Sequence, residues 1–366
     1  MPNPLKLASL WRVIRDLDLE GPRAAARGPF TLAIASEHGE DASQLRQLLT
    51  GPGAPPHPWI EIAALGTSAP GTAHSTSAPG TPAPQRSSID ALSALSASPL
   101  AGILITRDAN LSDALKMAGN RFAASRTPVL TVVVGDTSRT AKVLRPGEHA
   151  RVAVDTLDQP AVDAMATALV LILDEDQQVA LGAHFPPLRP AIFTRIIERT
   201  ARANASFALT TGLAETIPVL TAPLNLGDMV VLTKNQLMMC YRLALAAGRD
   251  GEPKALMTEI IGVLGSGVLF RQAARQLVGL IPIAGLLPKV AISYAGTYAI
   301  GKAMVGWTTE GRQVTVDTVA SYSRDGLVKG RALAEHLVES AGATTGRIAG
   351  RLERLGKFLP GKRTRV

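Results

Sequence analysis

Apolar and polar positions follow two rhythms along this chain. Leu7, Leu10, Trp11, Ile14 and Leu17 recur at helical spacing, which predicts an amphipathic helix over 5–19. Gly28 and Pro29 break that period, and Phe30 to Ala35 (FTLAIA) predicts a buried strand followed by a polar turn and a helix from about Asp41 to Leu49. Trp59 to Leu65 (WIEIAAL) is a second strand. Gly102 to Thr106 (GILIT) and Pro128 to Gly135 (PVLTVVVG) are continuous β-branched runs of the kind found in parallel strands covered on both faces, with a helix from Leu111 to Ala124 between them. Arg151 to Val154 is a short last strand, and Pro160 to Leu173 a helix. Five strands interleaved with helices predict an α/β fold with a doubly wound, mostly parallel sheet.

From about Pro186 onward no strand rhythm returns. Ile192, Phe193, Ile196 and Ile197 mark one helix, Asn225 to Ala247 another, and the apolar, glycine-rich stretch from Leu256 to Trp307 reads as a helical hairpin turning at LIPIAGLLP (Leu280 to Pro288). Its second arm carries Ala291, Ala295, Ala299 and Ala303 at four-residue spacing, one small residue per turn on one face, which lets another helix backbone approach closely. Thr297 falls off that stripe and is expected to tolerate a larger side chain. The charge-free runs in the hairpin are about a dozen residues each, below the roughly 18–20 needed to cross a bilayer, and Arg271, Arg275, Lys289 and Lys302 interrupt them. Both a buried core and a membrane-embedded hairpin fit this pattern. A weaker helical period runs from Gln313 to Ser340. Beyond it, Ile348, Leu352, Leu355 and Leu359 oppose Arg347, Arg351, Arg354 and Lys357, which makes a basic amphipathic tail.

Composition changes this picture at three points. Of the 23 residues from Gly66 to Ser88, 20 are Ala, Gly, Pro, Ser or Thr, and TSAPGT occurs at both Thr67 and Thr76. Such a segment buries too little to order itself and is expected to be a flexible insert. Charge is uneven: the ten Lys and Arg against four Asp and Glu from Arg324 to Val366 supply +6 of the net +8. With 4% aromatic residues there are few platforms for base stacking, so a membrane surface or anionic lipid is the expected partner of this end, together with an unidentified protein, rather than nucleic acid. The single cysteine, Cys240, and the early charges Lys6, Arg12, Arg15, Asp16 and Asp18 point to a reducing location without a secretory leader, cytoplasmic or at the cytoplasmic face of a membrane. The expected layout is an N-terminal helix in 1–28, an α/β domain in 29–180 with its insert at 66–88, a helical domain in 186–345 and the tail in 346–366.

The end of the first strand is where a nucleotide-binding α/β domain keeps a GxxxxGK[ST] phosphate loop. Here the register reads Ser36, Glu37, His38, Gly39, Glu40, Asp41, Ala42, Ser43. The lysine position is Ala42, Ser36 and Asp41 replace both framework glycines, and Glu37, Glu40 and Asp41 place carboxylates where phosphates would lie. Of the metal-and-phosphate set only Ser43 remains.

The opening LWRVIRDLDLEGPRAAARGPFTLAIAS resembles the start of a bacterial GTPase family whose C-terminal half is a YcjF-type domain of unknown function. Asn204 to Gly212, Leu224 to Ala247 (LNLGDMVVLTKNQLMMCYRLALAA), LIPIAGLLP and YAGTYAIGKA (Tyr294 to Ala303) are similar to that helical domain. The resemblance implies a P-loop GTPase-like first domain with a guanine-reading [NT]KxD after the Pro128 strand and a DxxG element after the Gly102 strand. This chain has Gly135, Asp136, Thr137 and Ser138 at the first and Arg107, Asp108, Ala109 and Asn110 at the second, so all three elements are degenerate. A pseudo-GTPase follows, while a Rossmann-like domain that never bound nucleotide fits the same residues.

Other chemistry finds little footing. Six scattered histidines and one cysteine make no metal set, no GxSxG elbow joins a strand to a helix, and no cofactor is implied. Asp228, Lys234 and Gln236 lie in or beside an apolar helix, where Asp228 reads either as a helix-start residue or, with the other two, as a polar cluster. The Met238 to Cys240 run reads as core. The function expected is a non-catalytic, membrane-associated scaffold or adaptor, with an NTP-binding protein or NTPase using an altered phosphate site as the alternative.

Overall fold

The computed structural model describes residue 15 and residues 17–55, 57–66, 88–138, 140–145, 147–214, 221–264 and 286–356, with backbone alone at 212–214, 221–229, 264, 286, 338 and 341–356. The chain forms two compact units, one of Asp18–Ile196 with Arg242–Pro253, the other of Met1–Leu17 with Ile197–Tyr241 and Lys254–Val366. Among the described residues no helix is long and apolar enough to cross a membrane.

The first unit runs α1 (Glu20–Arg27), β1 (Leu32–Ser36), α2 (Gly39–Thr50), β2 (Ile60–Ala64), α3 (Ser88–Ser93), β3 (Ala101–Thr106), α4 (Asp113–Ala124), β4 (Val129–Val134), β5 (Ala141–Arg145), β6 (His149–Val154), α5 (Gln159–Ile172) and α6 (Glu175–His184). The strands make one six-stranded sheet in the order β2-β1-β3-β4-β6-β5, parallel except for β5 against β6. Every residue of β1 and β3 is buried. Ala33, Ala35 and Leu104 pack on one face with Leu92, Leu115, Ala118 and Phe122 of α3 and α4. Strand alternation turns the equally buried Leu32, Ile34, Ile103 and Ile105 to the other face. Right-handed crossovers in opposite directions from β1 and β3 place α2 and α4 on opposite faces, so the sheet is doubly wound.

The short helices α1 and α3 are not expected from the sequence pattern, and two further elements depart from it. A sixth strand, β5, follows β4, and its charged sequence AKVLR shows no apolar alternation because it is a largely exposed edge strand with a single strand neighbour. Helix α6 was hidden by Gln178, which is buried at a core position and donates Nε2 to the carbonyls of Val170 (3.1 Å) and Leu173 (2.8 Å) at the end of α5. A capping box fixes where α6 begins: Asp174 accepts from the Gln177 amide at 2.8 Å and the Gln177 side chain accepts from the Asp174 amide at 3.0 Å. The Arg242–Pro253 segment is tied to this unit by ion pairs from Arg242 to Glu175, Arg27 to Asp250 and Arg23 to Glu252.

The second unit contains parts of α7 (Arg189–Ala214) and α8 (Thr221–Ala246), then α9 (Pro253–Leu264), α10 (Leu286–Glu310) and α11 (Val316–Gly356). α11 is one continuous helix where two separate periods were expected. Ala291, Ala295, Ala299 and Ala303 are all buried. Gly330 of α11 lies at Ala291 and Gly326 at Ala295, so the two helices run antiparallel with backbone nearly touching backbone. Of the turn expected at Leu280 to Pro288, Leu286 to Pro288 instead open α10, and the rest lies outside the described residues, as do the insert at 67–87 and most of the N-terminal helix.

Candidate functional site

In an open sheet wound β2-β1-β3-β4-β6, the winding reverses between β1 and β3, and ligands of such sheets bind outside the carboxyl ends of the strands at that reversal. The residues that follow Ser36 and Thr106 therefore define the place to look. Only Glu37 and His38 separate β1 from α2, whose helix already includes Gly39 to Ser43. Five of the eight positions in the phosphate-loop register are thus helical, leaving no loop to wrap a phosphate. Ser36 is buried and its Oγ accepts from the His38 amide at 3.2 Å, Ala42 is fully buried and Ser43 is half-buried. The chain after β2 adds to the closure: the Leu65 amide donates to the Ser36 carbonyl at 2.7 Å, and a Cβ on Gly66 would stand 2.0 Å from the Glu37 carbonyl oxygen.

The expected crowding of three carboxylates is corrected here. Glu40 points to solvent and Glu37 is half-buried, while Asp41 turns inward, 4% exposed. Arg107, from the loop after β3, reaches it with a two-pronged contact, Nε to Oδ2 at 3.0 Å and Nη2 to Oδ1 at 2.8 Å. The hydrogen bond and the charge of Asp41 raise the Arg107 pKa above its already high value. An internal carboxylate thus holds the cation that stands at the sheet's reversal point. In the sequence Arg107 marks only the place of the missing DxxG element, and nothing local to it points to Asp41.

The expected base-reading loop is a tight turn leading to β5. Gly135 has φ +89°, and its amide donates to the carbonyls of Val154 (2.9 Å) and Asp155 (3.0 Å). Asp136 accepts from the Ser138 amide at 2.9 Å, a bond that holds its carboxyl below the usual range. The loop is thus tied to the end of β6 through Gly135 and closed on itself through Asp136 and Ser138.

In the helical unit the structure assembles a polar cluster of different membership from the expected one. Asn235 donates Nδ2 to Asn204 Oδ1 at 2.7 Å, Asn204 donates Nδ2 to Thr297 Oγ1 at 2.9 Å, and Gln236 donates Nε2 to the same oxygen at 3.1 Å. Thr297 in turn donates to the Ser293 carbonyl at 3.0 Å, and Ser293 Oγ to the Asn204 carbonyl at 3.0 Å. The cluster links α7, α8 and α10 with its hydroxyl and amide groups matched to one another. Thr297 is 1% exposed, which overturns its expected tolerance: α10 packs on more than one side, with Gly301 against Ile197 of α7 opposite the alanine stripe. Of the three residues expected to group, Gln236 belongs to this cluster, Lys234 is half-buried on the same helix, and the Asp228 side chain lies outside the described residues. So do the side chains of Arg347, Arg351 and Arg354, and Lys357 altogether.

Cys240 is fully buried and its thiol pKa is pushed up to about 12 by burial, which makes it unreactive core. No group of three potential metal-ligating side chains occurs among the described residues. Compared with protein-family models, curated proteins and solved structures, the chain matches none.

Proposed function

We propose that this chain is a non-catalytic scaffold or adaptor that works at a membrane surface, built on an α/β unit of pseudo-GTPase character that takes no nucleotide. The observation that carries the reading is the Asp41–Arg107 pair at the reversal point of the sheet. A phosphate arriving there meets a guanidinium already bound, and drawing Arg107 away leaves a buried carboxylate unpaired. Removing one partner of a buried pair costs about 3–5 kcal/mol. Because the Arg107 side chain is 51% exposed, the lower end applies, roughly a hundredfold in affinity. The short β1–α2 connection compounds this by withholding the backbone amides that a phosphate loop supplies.

The membrane half of the reading rests on the sequence of the tail, where arginines alternate with an apolar stripe, and on its excess of positive charge. The half-exposed Arg107 favours a second reading, an NTP-binding protein that exchanges Asp41 for a phosphate. Co-sedimentation of the full chain with vesicles distinguishes them. The scaffold reading expects pelleting with phosphatidylserine vesicles, little with neutral phosphatidylcholine, and no effect of GTP or ATP at about 1 mM. Pelleting that switches on or off with nucleotide supports the second reading, and equal pelleting with both lipids removes the electrostatic part of the first.

A further inference from the structure

At the end of the sheet opposite the reversal point, five rings form one cluster. Phe30 precedes β1, Trp59 precedes β2, His184 closes α6, and Phe185 and His57 complete the group. Ring centroids lie 3.8 Å apart for Trp59–His184, 4.9 Å for Phe30–Trp59 and 5.2 Å for His57–Phe185. Hydrogen bonds assign a task to each imidazole. His184 Nε2 stands 2.8 Å from the Ala26 carbonyl of α1 and so carries a proton and donates it. His57 Nδ1 stands 3.3 Å from the Trp59 amide and so accepts, which requires a neutral ring protonated at Nε2.

The charged groups around the pair all disfavour a further positive charge or are engaged elsewhere. From α7, Arg189 donates Nε to the Gly182 carbonyl at 2.8 Å and Nη2 to Ala183 at 3.2 Å, and it faces His184. From α1, Arg27 is paired with Asp250, and Arg23 with Glu20 and Glu252. Among the described residues no carboxylate acts on either ring.

We propose that His57 and His184 form an acid-sensitive latch that holds α1 against α6 at this end of the sheet and opens when His57 takes up a proton. The proton comes from solvent and goes to Nδ1, which turns the acceptor of the Trp59 amide into a second donor facing it. It also sets a new cation facing His184, which Arg189 already faces. The aromatic faces return only part of that cost, because the lost acceptor has no substitute in the cluster. Burial lowers the pKa of both rings; on His184 the Ala26 carbonyl opposes the shift, while His57 and Arg189 add to it. Opening therefore belongs below the ordinary histidine value of 6.5. The segment released is α1, which follows directly on the amphipathic sequence at 5–19.

Hydrogen exchange on the full chain at about pH 7.5 and pH 5.5, corrected for the intrinsic rate, tests the latch. Amides of α1 are expected to lose about tenfold in protection at the lower pH, while those of β4 keep theirs. In His57→Asn, whose Oδ1 accepts from Trp59 at every pH, α1 protection should be the same at both values. His184→Gln, whose amide replaces the Nε2 donor, removes the neighbouring charge and should shrink the loss. Equal α1 protection at both pH values in the natural chain overturns the proposal, as does a full loss persisting in either variant or a parallel loss in β4.

Discussion

Replacing Gly330 by alanine sets two effects of opposite sign against each other in α11. In a helix interior glycine is about 0.8–1.0 kcal/mol worse than alanine, so propensity alone makes the change stabilising. The packing says otherwise. A Cβ at Gly330 would stand 2.7 Å from the Ala291 carbonyl oxygen and 3.2 Å from its Cα, both backbone atoms of α10 that no side-chain rotation can move away. Helices α10 and α11 would have to separate along the whole alanine face, and overpacking of this kind costs about 1–3 kcal/mol. With no soft neighbour to yield, the upper part of that range applies, for a net loss of about 1–2 kcal/mol after the propensity gain. Gly296, in the middle of α10, is the internal control because nothing stands within 4 Å of its Cβ position. Gly296→Ala should stabilise by about 0.5–1 kcal/mol. Urea unfolding of the full chain, followed by a helix signal, reads both. Midpoints that move in the same direction for the two variants would refute the close α10–α11 approach.

Thr297→Val keeps the volume but removes the oxygen that accepts from Asn204 and Gln236, so it should cost about 1–3 kcal/mol for the stranded amides. Thr297→Ser should cost less in the same urea assay, and equal losses would show that the hydroxyl network contributes nothing. His149 Nε2 lies 2.9 Å from Thr131 Oγ1, and its pKa is lowered by burial, then by Arg145 and Arg151. The native state therefore binds fewer protons than the unfolded chain, so the stability this group contributes is full above 6.5 and falls as pH drops below that value. The slope is at most about 1.4 kcal/mol per pH unit. His149→Gln should flatten the stability profile between about pH 7.5 and 5, and an unchanged slope would contradict this.

The central strands could be read in the sequence because β1, β3 and β4 are covered on both faces, so their apolar runs are nearly unbroken. Strand β5 could not, since an exposed edge imposes no such pattern. The loss of a phosphate loop was legible at Ala42. What occupies its place was not, because Asp41 and Arg107 stand 66 residues apart and only the sheet order brings them together. The alanine stripe of α10 was visible as a four-residue period, yet that period implied a single packed face and hid Thr297. The partners of Thr297 come from 61 and 93 residues earlier in the chain. Local periodicity records whether a residue is buried, and pairing between distant polar groups leaves no periodic trace.

Isothermal titration of the full chain with GTP and with ATP, each with magnesium, tests most directly whether Asp41 has taken the place of a phosphate. The internal pair and the missing phosphate loop together predict no saturable heat up to about 1 mM nucleotide, a binding free energy weaker than about 4 kcal/mol. A micromolar dissociation constant for either nucleotide, abolished by substitutions among Glu37 to Ser43 or at Arg107, would contradict it.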